Sequence, residues 1–178
     1  MNEKIKYGFI LGMTCLLAGG ILSGVNALTQ PQIKLQKEKD GDAALKKIFP
    51  GASEFKTQST DGKPLYYSVL DNNRKLTGFV LEVSGHGYAS DIQVLAGVNL
   101  KLEITDVLVV ADNETPGLGS RVAEDSFRAQ FKGKTSESVD QVQAITGATI
   151  SSRAVINSIK NKLQEVKPSL LQEIANAG

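Results

Sequence analysis

Thiol and imidazole chemistry are almost absent from this sequence, which has one cysteine, Cys15, one histidine, His86, and no tryptophan. A single cysteine forms no internal disulfide, and a single imidazole builds no transition-metal site by itself. Nucleophilic triads, thiolate catalysis and zinc hydrolysis are therefore poor readings of the chain. Charge of one sign is also missing, since 20 basic residues face 19 acidic ones for a formal net charge of +1. No basic surface strong enough to hold nucleic acid follows from that balance. The chain carries no dinucleotide fingerprint, no iron–sulfur ligand set, no internal repeat and no low-complexity tract.

What the chain does have is a long uncharged run. Residues 7–28, "YGFILGMTCLLAGGILSGVNAL", form as a helix a rod of roughly 33 Å, which matches the hydrocarbon thickness of a bilayer. A cleaved signal peptide is the rival, with Lys4 and Lys6 as its basic start and "VNA" at 25–27 as a faint cleavage site. The length of the run and the polar Asn26 favour a retained transmembrane helix after a short tail, residues 1–6. Lys34, Lys37, Lys39, Lys46 and Lys47 follow the span and outnumber the two lysines before it. The charge rule alone thus does not put the following domain outside the cytoplasm. Residues 29–50 read as a polar stalk with a short amphipathic helix, "AALKKIF" at 43–49, stopped by Pro50 and Gly51.

Residues 51–178 read as one α+β domain. Strands begin with "PLYYSVL" at 64–70. In "GFVLEV", Phe79, Leu81 and Val83 alternate with Val80 and Glu82, and in "DIQVLAGV" Ile92, Val94, Ala96 and Val98 share a face. "SGHGY" at 84–88 joins those two strands as a hairpin, and "LKLEITDVLVV" at 100–110 ends in a wholly apolar central stretch. The expected sheet is a twisted antiparallel meander. One helix is expected after Ser120 as N-cap, with Ala123, Phe127 and Phe131 on its inner stripe. A second follows "GATISS", with Val155, Ile159, Leu163 and Val166 facing inward and an end near Pro168.

Two loops lead into those helices. In "ETPGLGS", residues 114–120, Pro116 and Gly117 suit the centre of a type II turn, and Gly119 permits a second unusual backbone angle. As structure alone this is an ordinary strand-to-helix loop. As a site, Gly117 and Gly119 with Leu118 between them would let a flat ligand lie close to backbone amides, with Glu114 and Thr115 as the nearest polar groups. In "AITGATISSR", residues 144–153, four hydroxyls surround two of the smallest residues. Ser151 or Ser152 would cap the helix, and Thr149 lies just ahead, where free amides and the helix dipole favour an anion such as phosphate. Gly147 and Ala148 leave the Thr149 hydroxyl open. No acid or histidine stands near it in sequence to make it a nucleophile, so Thr149 reads as an acceptor. A capping loop that happens to be rich in hydroxyls fits the same spacing.

"ITGATISS" resembles the flavinylation motif of the covalent FMN-binding domain found in the G subunit of the Rnf electron-transport complex and in the C subunit of the sodium-pumping NADH:quinone reductase. "ETPGLG" and "GHGYASDIQVLAGVN" resemble two further motifs of that family in the same order, and with the N-terminal span the likeness covers nearly the whole chain. The resemblance implies FMN carried by a phosphoester on Thr149 and installed from FAD by a separate flavin transferase. It implies cofactor contacts from Thr146, Gly147, Ala148, Ser151 and Ser152 and from residues 114, 115 and 117–119. It further implies a single-pass protein in the lipid of the cell membrane, its flavin domain on the extracytoplasmic side, among other membrane, iron–sulfur and flavin subunits. The chain is then an electron relay in an ion-translocating ferredoxin:NAD oxidoreductase. A quinone-reductase subunit, or an anchored binding module without redox work, is the alternative; the compact length suits the Rnf subunit better. Gln143 departs from the family, which usually has an acid there; Asp140 lies three residues further back.

Overall fold

A computed structural model describes residues 3–60, 63–111 and 114–177. The chain forms two compact units, residues 1–42 and 43–178. The first is helical, belonging to α1, Glu3–Ile48. Within it, Lys6–Gln30 is long and apolar enough to cross a membrane. Phe9, Leu16, Leu22 and Leu28 are all exposed there, and a helix apolar all round and uncovered is suited to lipid. The separate short helix expected at 43–49 is instead the last turns of α1, which stops just before the expected breaker Pro50.

The second unit is an antiparallel meander of five strands in sequential order, β1 Glu54–Thr60, β2 Lys63–Leu70, β3 Leu76–His86, β4 Asp91–Asn99 and β5 Ile104–Ala111. The strands are held in register by asparagine and aspartate turns. Asp71 Oδ1 accepts the amides of Asn73 and Lys75, and Asn99 Oδ1 accepts those of Lys101 and Glu103. Such side chains replace a turn's missing backbone partners. The second of these turns takes residues 100–103 out of the strand expected at 100–110. β1 was not expected at all: "EFKTQST" is polar, and pairs only with β2 at the sheet's edge.

Period-two alternation then sorts the side chains. Phe79, Leu81 and Val83 of β3 stand opposite Val98, Ala96 and Val94 of β4 and face one core. That core is closed by α3, Thr149–Ala177, through Val155, Ile159, Leu163, Val166 and Leu170. Val69, Val80 and Leu95 point to the opposite face, where Ala44, Leu45 and Ile48 cover them. A Cβ at Gly78 or Gly97 would run into Phe49 or Ile48, so these glycines admit the end of α1 to the sheet.

Two helical expectations need correction. α3 does not end near Pro168 but continues to Ala177. Leu170 is fully buried beyond the proline and Tyr66 donates to Glu173 at 2.8 Å, so tertiary packing outweighs the bond a proline removes. The helix expected after Ser120 is three short pieces, a 3₁₀ turn Gly119–Ala123, α2 Asp125–Arg128 and a 3₁₀ turn Ala129–Phe131. Ser120 is not its N-cap; its hydroxyl accepts the amide of Gly117. Val122 takes the buried place expected of Ala123, while Phe127 and Phe131 pack edge to face at 5.3 Å as core residues.

Candidate functional site

Three connections meet at one side chain. Glu114 follows β5, is only 4% exposed, and would be costly to bury as a bare carboxylate. Its Oε1 accepts the amides of Ala89 at 2.9 Å and Ser90 at 3.0 Å, in the turn between β3 and β4. Its Oε2 accepts the amide of Tyr88 at 3.2 Å and the hydroxyl of Ser151 at 2.6 Å, in the first turn of α3. Burial pushes this carboxyl up, but the Ser151 hydroxyl and the three amides together outweigh it and hold the group below its ordinary value. A carboxyl held low adds stability that is present above the ordinary carboxylate range and is lost only as pH falls through its lowered value.

The glycines around it now have distinct reasons. A Cβ on Gly87 or on Gly119 would overlap the Glu114 carboxylate, so both must lack one. Gly117 has φ +75° and open space around its Cα, and the amide of Leu118 reaches the carbonyl of Thr115 at 3.1 Å. That is the type II turn read from Pro116-Gly117, and it uses the left-handed region that glycine enters without strain. Gly147, at φ +85°, makes the corresponding bend before α3.

The four hydroxyls of 146–152 divide into two pairs. Ser151 and Ser152 are both fully buried, and neither is the cap expected of one of them, because the helix already starts at Thr149. Ser151 donates to Glu114, and Ser152 accepts the amide of Ile145 at 3.0 Å. Thr146 and Thr149 are exposed. The amide of Ser152 donates to the carbonyl of Ala148, one turn back. Earlier amides of a helix have no carbonyl one turn back to reach, which makes this end an anion site in waiting.

A cleft of about 380 Å³ opens here, lined by Tyr88, Glu114, Thr115, Leu118, Gly119, Gly147, Ala148, Thr149, Ile150 and Ser151. Its size lies in the range of roughly 300–1,000 Å³ common to small-molecule and cofactor sites. The residues fit a flat group with an anionic end. Gly147, Ala148 and Gly119 form a floor without bulk, the start of α3 supplies amides, and the rim is apolar. Tyr88, Leu118 and Ile150 stand 71%, 51% and 56% exposed along that rim. Of the residues singled out from sequence, eight line the cleft, while Thr146, Gly117 and Ser152 do not. Tyr88 and Ile150 were not singled out. Their signal was present, since Ile150 lies inside the 144–153 loop and Tyr88 inside the "GHGYASDIQVLAGVN" stretch. No group of three or more acids, cysteines and histidines able to hold a metal occurs among the described residues.

Comparison with known proteins follows the same outline. Residues 87–164 match the family described as FMN-binding domain, and residues 1–48 match the RnfG N-terminal region. The chain is 30% identical over 165 residues to the G subunit of the proton-translocating ferredoxin:NAD(+) oxidoreductase complex of Clostridium ljungdahlii, covering 88% of each chain. It is 33% identical over 164 residues to the G subunit of the ion-translocating oxidoreductase complex of Methanosarcina acetivorans, covering 84% of this chain and 87% of that one. The G subunit of the Na(+)-translocating ferredoxin:NAD(+) oxidoreductase complex of Acetobacterium woodii is 28% identical over 185 residues, with 89% of each chain covered. Among solved structures, Shewanella oneidensis NqrC matches with a TM-score of 0.48 and 21% identity, over 72% of this chain and 74% of that one.

Proposed function

The chain belongs to the RnfG family, the G subunits of ion-translocating ferredoxin:NAD(+) oxidoreductase complexes, and from that premise we propose that it relays electrons through FMN attached to the hydroxyl of Thr149. The observation that carries this reading is the division of the hydroxyls. Of the four between 146 and 152, Thr149 is the one that is both exposed and part of the cleft wall.

Attachment is a phosphoryl-group transfer. The Thr149 Oγ forms a bond to the phosphorus on the riboflavin side of FAD as the pyrophosphate bond breaks. AMP leaves, and the hydroxyl proton is lost to a base of the transferase. The product keeps one negative charge on its phosphodiester, which the amides and dipole at the start of α3 would stabilise. The bound FMN supplies one- and two-electron chemistry that no side chain of this protein has. The chain's own part is to hold and surround it. Leu118, Ile150 and Tyr88 would offer an apolar rim for its ring, and a tether would make occupancy independent of any free FMN pool.

The test is the accurate mass of the full chain made together with a flavin transferase. The chain should gain one FMN less one water, on a peptide containing residues 144–153. An unchanged mass in a chain exposed to active transferase and FAD removes the covalent reading and leaves a non-covalent binding module.

The span supports membrane anchoring, and we place the flavin domain on the extracytoplasmic side, where a cofactor cannot be replaced from the cytosol. Protease added to intact cells should then degrade residues 40–178. Protection of that part, with cleavage only after lysis, would mean that the lysines following the span decide the topology.

A further inference from the structure

Glu114 lines the cleft, yet it has nothing left to offer a ligand. A carboxylate has about four lone-pair positions, and four donors already fill them: the amides of Tyr88, Ala89 and Ser90 and the hydroxyl of Ser151. Any donor on a cofactor would have to displace one of these. The four donors come from two segments, the turn of 88–90 and the start of α3, that are otherwise distant in the chain. Gly87 and Gly119 close over the carboxylate from either side, and neither could carry a Cβ. A charge so enclosed, with every position met, resists displacement, because each broken bond would strand a buried polar group.

We propose that Glu114 is a positioning residue for Thr149, pinning the first turn of α3 through Ser151 while it holds the 88–90 turn, so that the acceptor hydroxyl and the Tyr88 side chain both stay in the wall of the cleft. This rests on the reading of Thr149 as the flavin acceptor. The mechanism is rotational. Rotation of the first turn of α3 is set by where its inward side chains are tied, and Ser151 is tied to Glu114 while Ser152 is tied to the amide of Ile145. With both serines held inward, Thr149 is left on the exposed side of that turn. Release of Ser151 frees the turn to fray, as helix ends do when unheld. The hydroxyl would then sample many directions.

Two variants of the full-length protein test this, Glu114→Gln and Ser151→Ala. Glutamine keeps the shape but turns one acceptor oxygen into an NH2 donor, which opposes the amides of the 88–90 turn, while the Ser151 hydroxyl, able to accept as well as donate, keeps only a weaker bond to an uncharged group. Alanine removes a single donor and leaves the carboxylate its three amides. Hydrogen exchange on the flavin-free proteins should show faster exchange at 88–90 in Glu114→Gln and at the start of α3 in both, with the amides of β3 and β4 unchanged. Flavin attachment at saturating FAD and transferase should slow by about tenfold in each, the loss expected from one hydrogen bond to a charged group. Apparent KM for FAD should stay put, since FAD is bound by the transferase. Unchanged exchange at both segments overturns the tie. Full attachment rate in a variant well below its melting temperature overturns the positioning role, whatever its stability. Failure of the wild-type chain to acquire flavin strikes the Thr149 reading instead, and the exchange experiment still reports on the tie.

Discussion

Thr149→Val should leave the protein folded, in the membrane, and without any covalent flavin. Valine matches threonine in shape, is β-branched like it, and replaces a side chain that is exposed at the start of α3. Exposed substitutions of this kind usually change stability by no more than about 0.5 kcal/mol. The chemical loss is complete, because a methyl group in place of Oγ can form no phosphoester. Flavin fluorescence of the denatured protein in a gel reads the result directly, since only a covalent flavin survives denaturation and electrophoresis. Undiminished fluorescence would transfer the assignment to Thr146, the other exposed hydroxyl of the loop. Ser151 and Ser152 are far weaker candidates now than their spacing suggested, being buried and committed to Glu114 and Ile145.

Gly119→Val should be the most damaging single change in the 114–119 loop, and Gly117→Val a much milder one. A Cβ at 119 would overlap the Glu114 carboxylate and stand 3.0 Å from Ser151 Oγ. Either the carboxylate or the loop must move, and a buried charge loses partners, at a cost of about 1–3 kcal/mol or more. For a chain of this size each kcal/mol corresponds to about 2–4 °C in Tm. Attachment should fall as well, because Gly119 and Ser151 both belong to the cleft wall. At 117 a Cβ meets open space, and only the left-handed backbone angle is penalised, by about 1–3 kcal/mol. Gly117→Val should therefore lose some stability yet keep its covalent FMN. Thermal unfolding with flavin absorbance, run on both variants, separates the two. Equal attachment and equal spectra in both would show that the 114–119 loop is only a connection.

The parts of this protein that were legible in the sequence are those set by neighbours along the chain. A bilayer-length run needs only 22 uncharged residues in succession, and α1 carries it. The period-two placement of Phe79, Leu81 and Val83 and of Ile92, Val94, Ala96 and Val98 needs only a sheet with a buried face, and β3 and β4 pair as that pattern requires. The type II turn at 115–118 follows from proline before glycine. Thr149 could be singled out because small residues precede it and a helical pattern follows.

Tertiary structure decided everything that depends on a partner far away in the chain. β1 is a strand because β2 offers it hydrogen bonds, although its own residues are polar. α3 passes through Pro168 because Leu170 and Glu173 have partners on the sheet side. The 119–131 segment breaks into short turns, although its phenylalanines repeat at helical spacing, because those rings and Val122 fill a core whose shape the sheet and α3 dictate. The division of the hydroxyls belongs here too. Sequence placed Ser151 and Thr149 two residues apart with the same chemistry. Only the burial of Glu114, 37 residues away, drew Ser151 inward and left Thr149 facing the cleft. A buried carboxylate must collect donors from wherever the fold supplies them, and no local pattern announces which ones those will be.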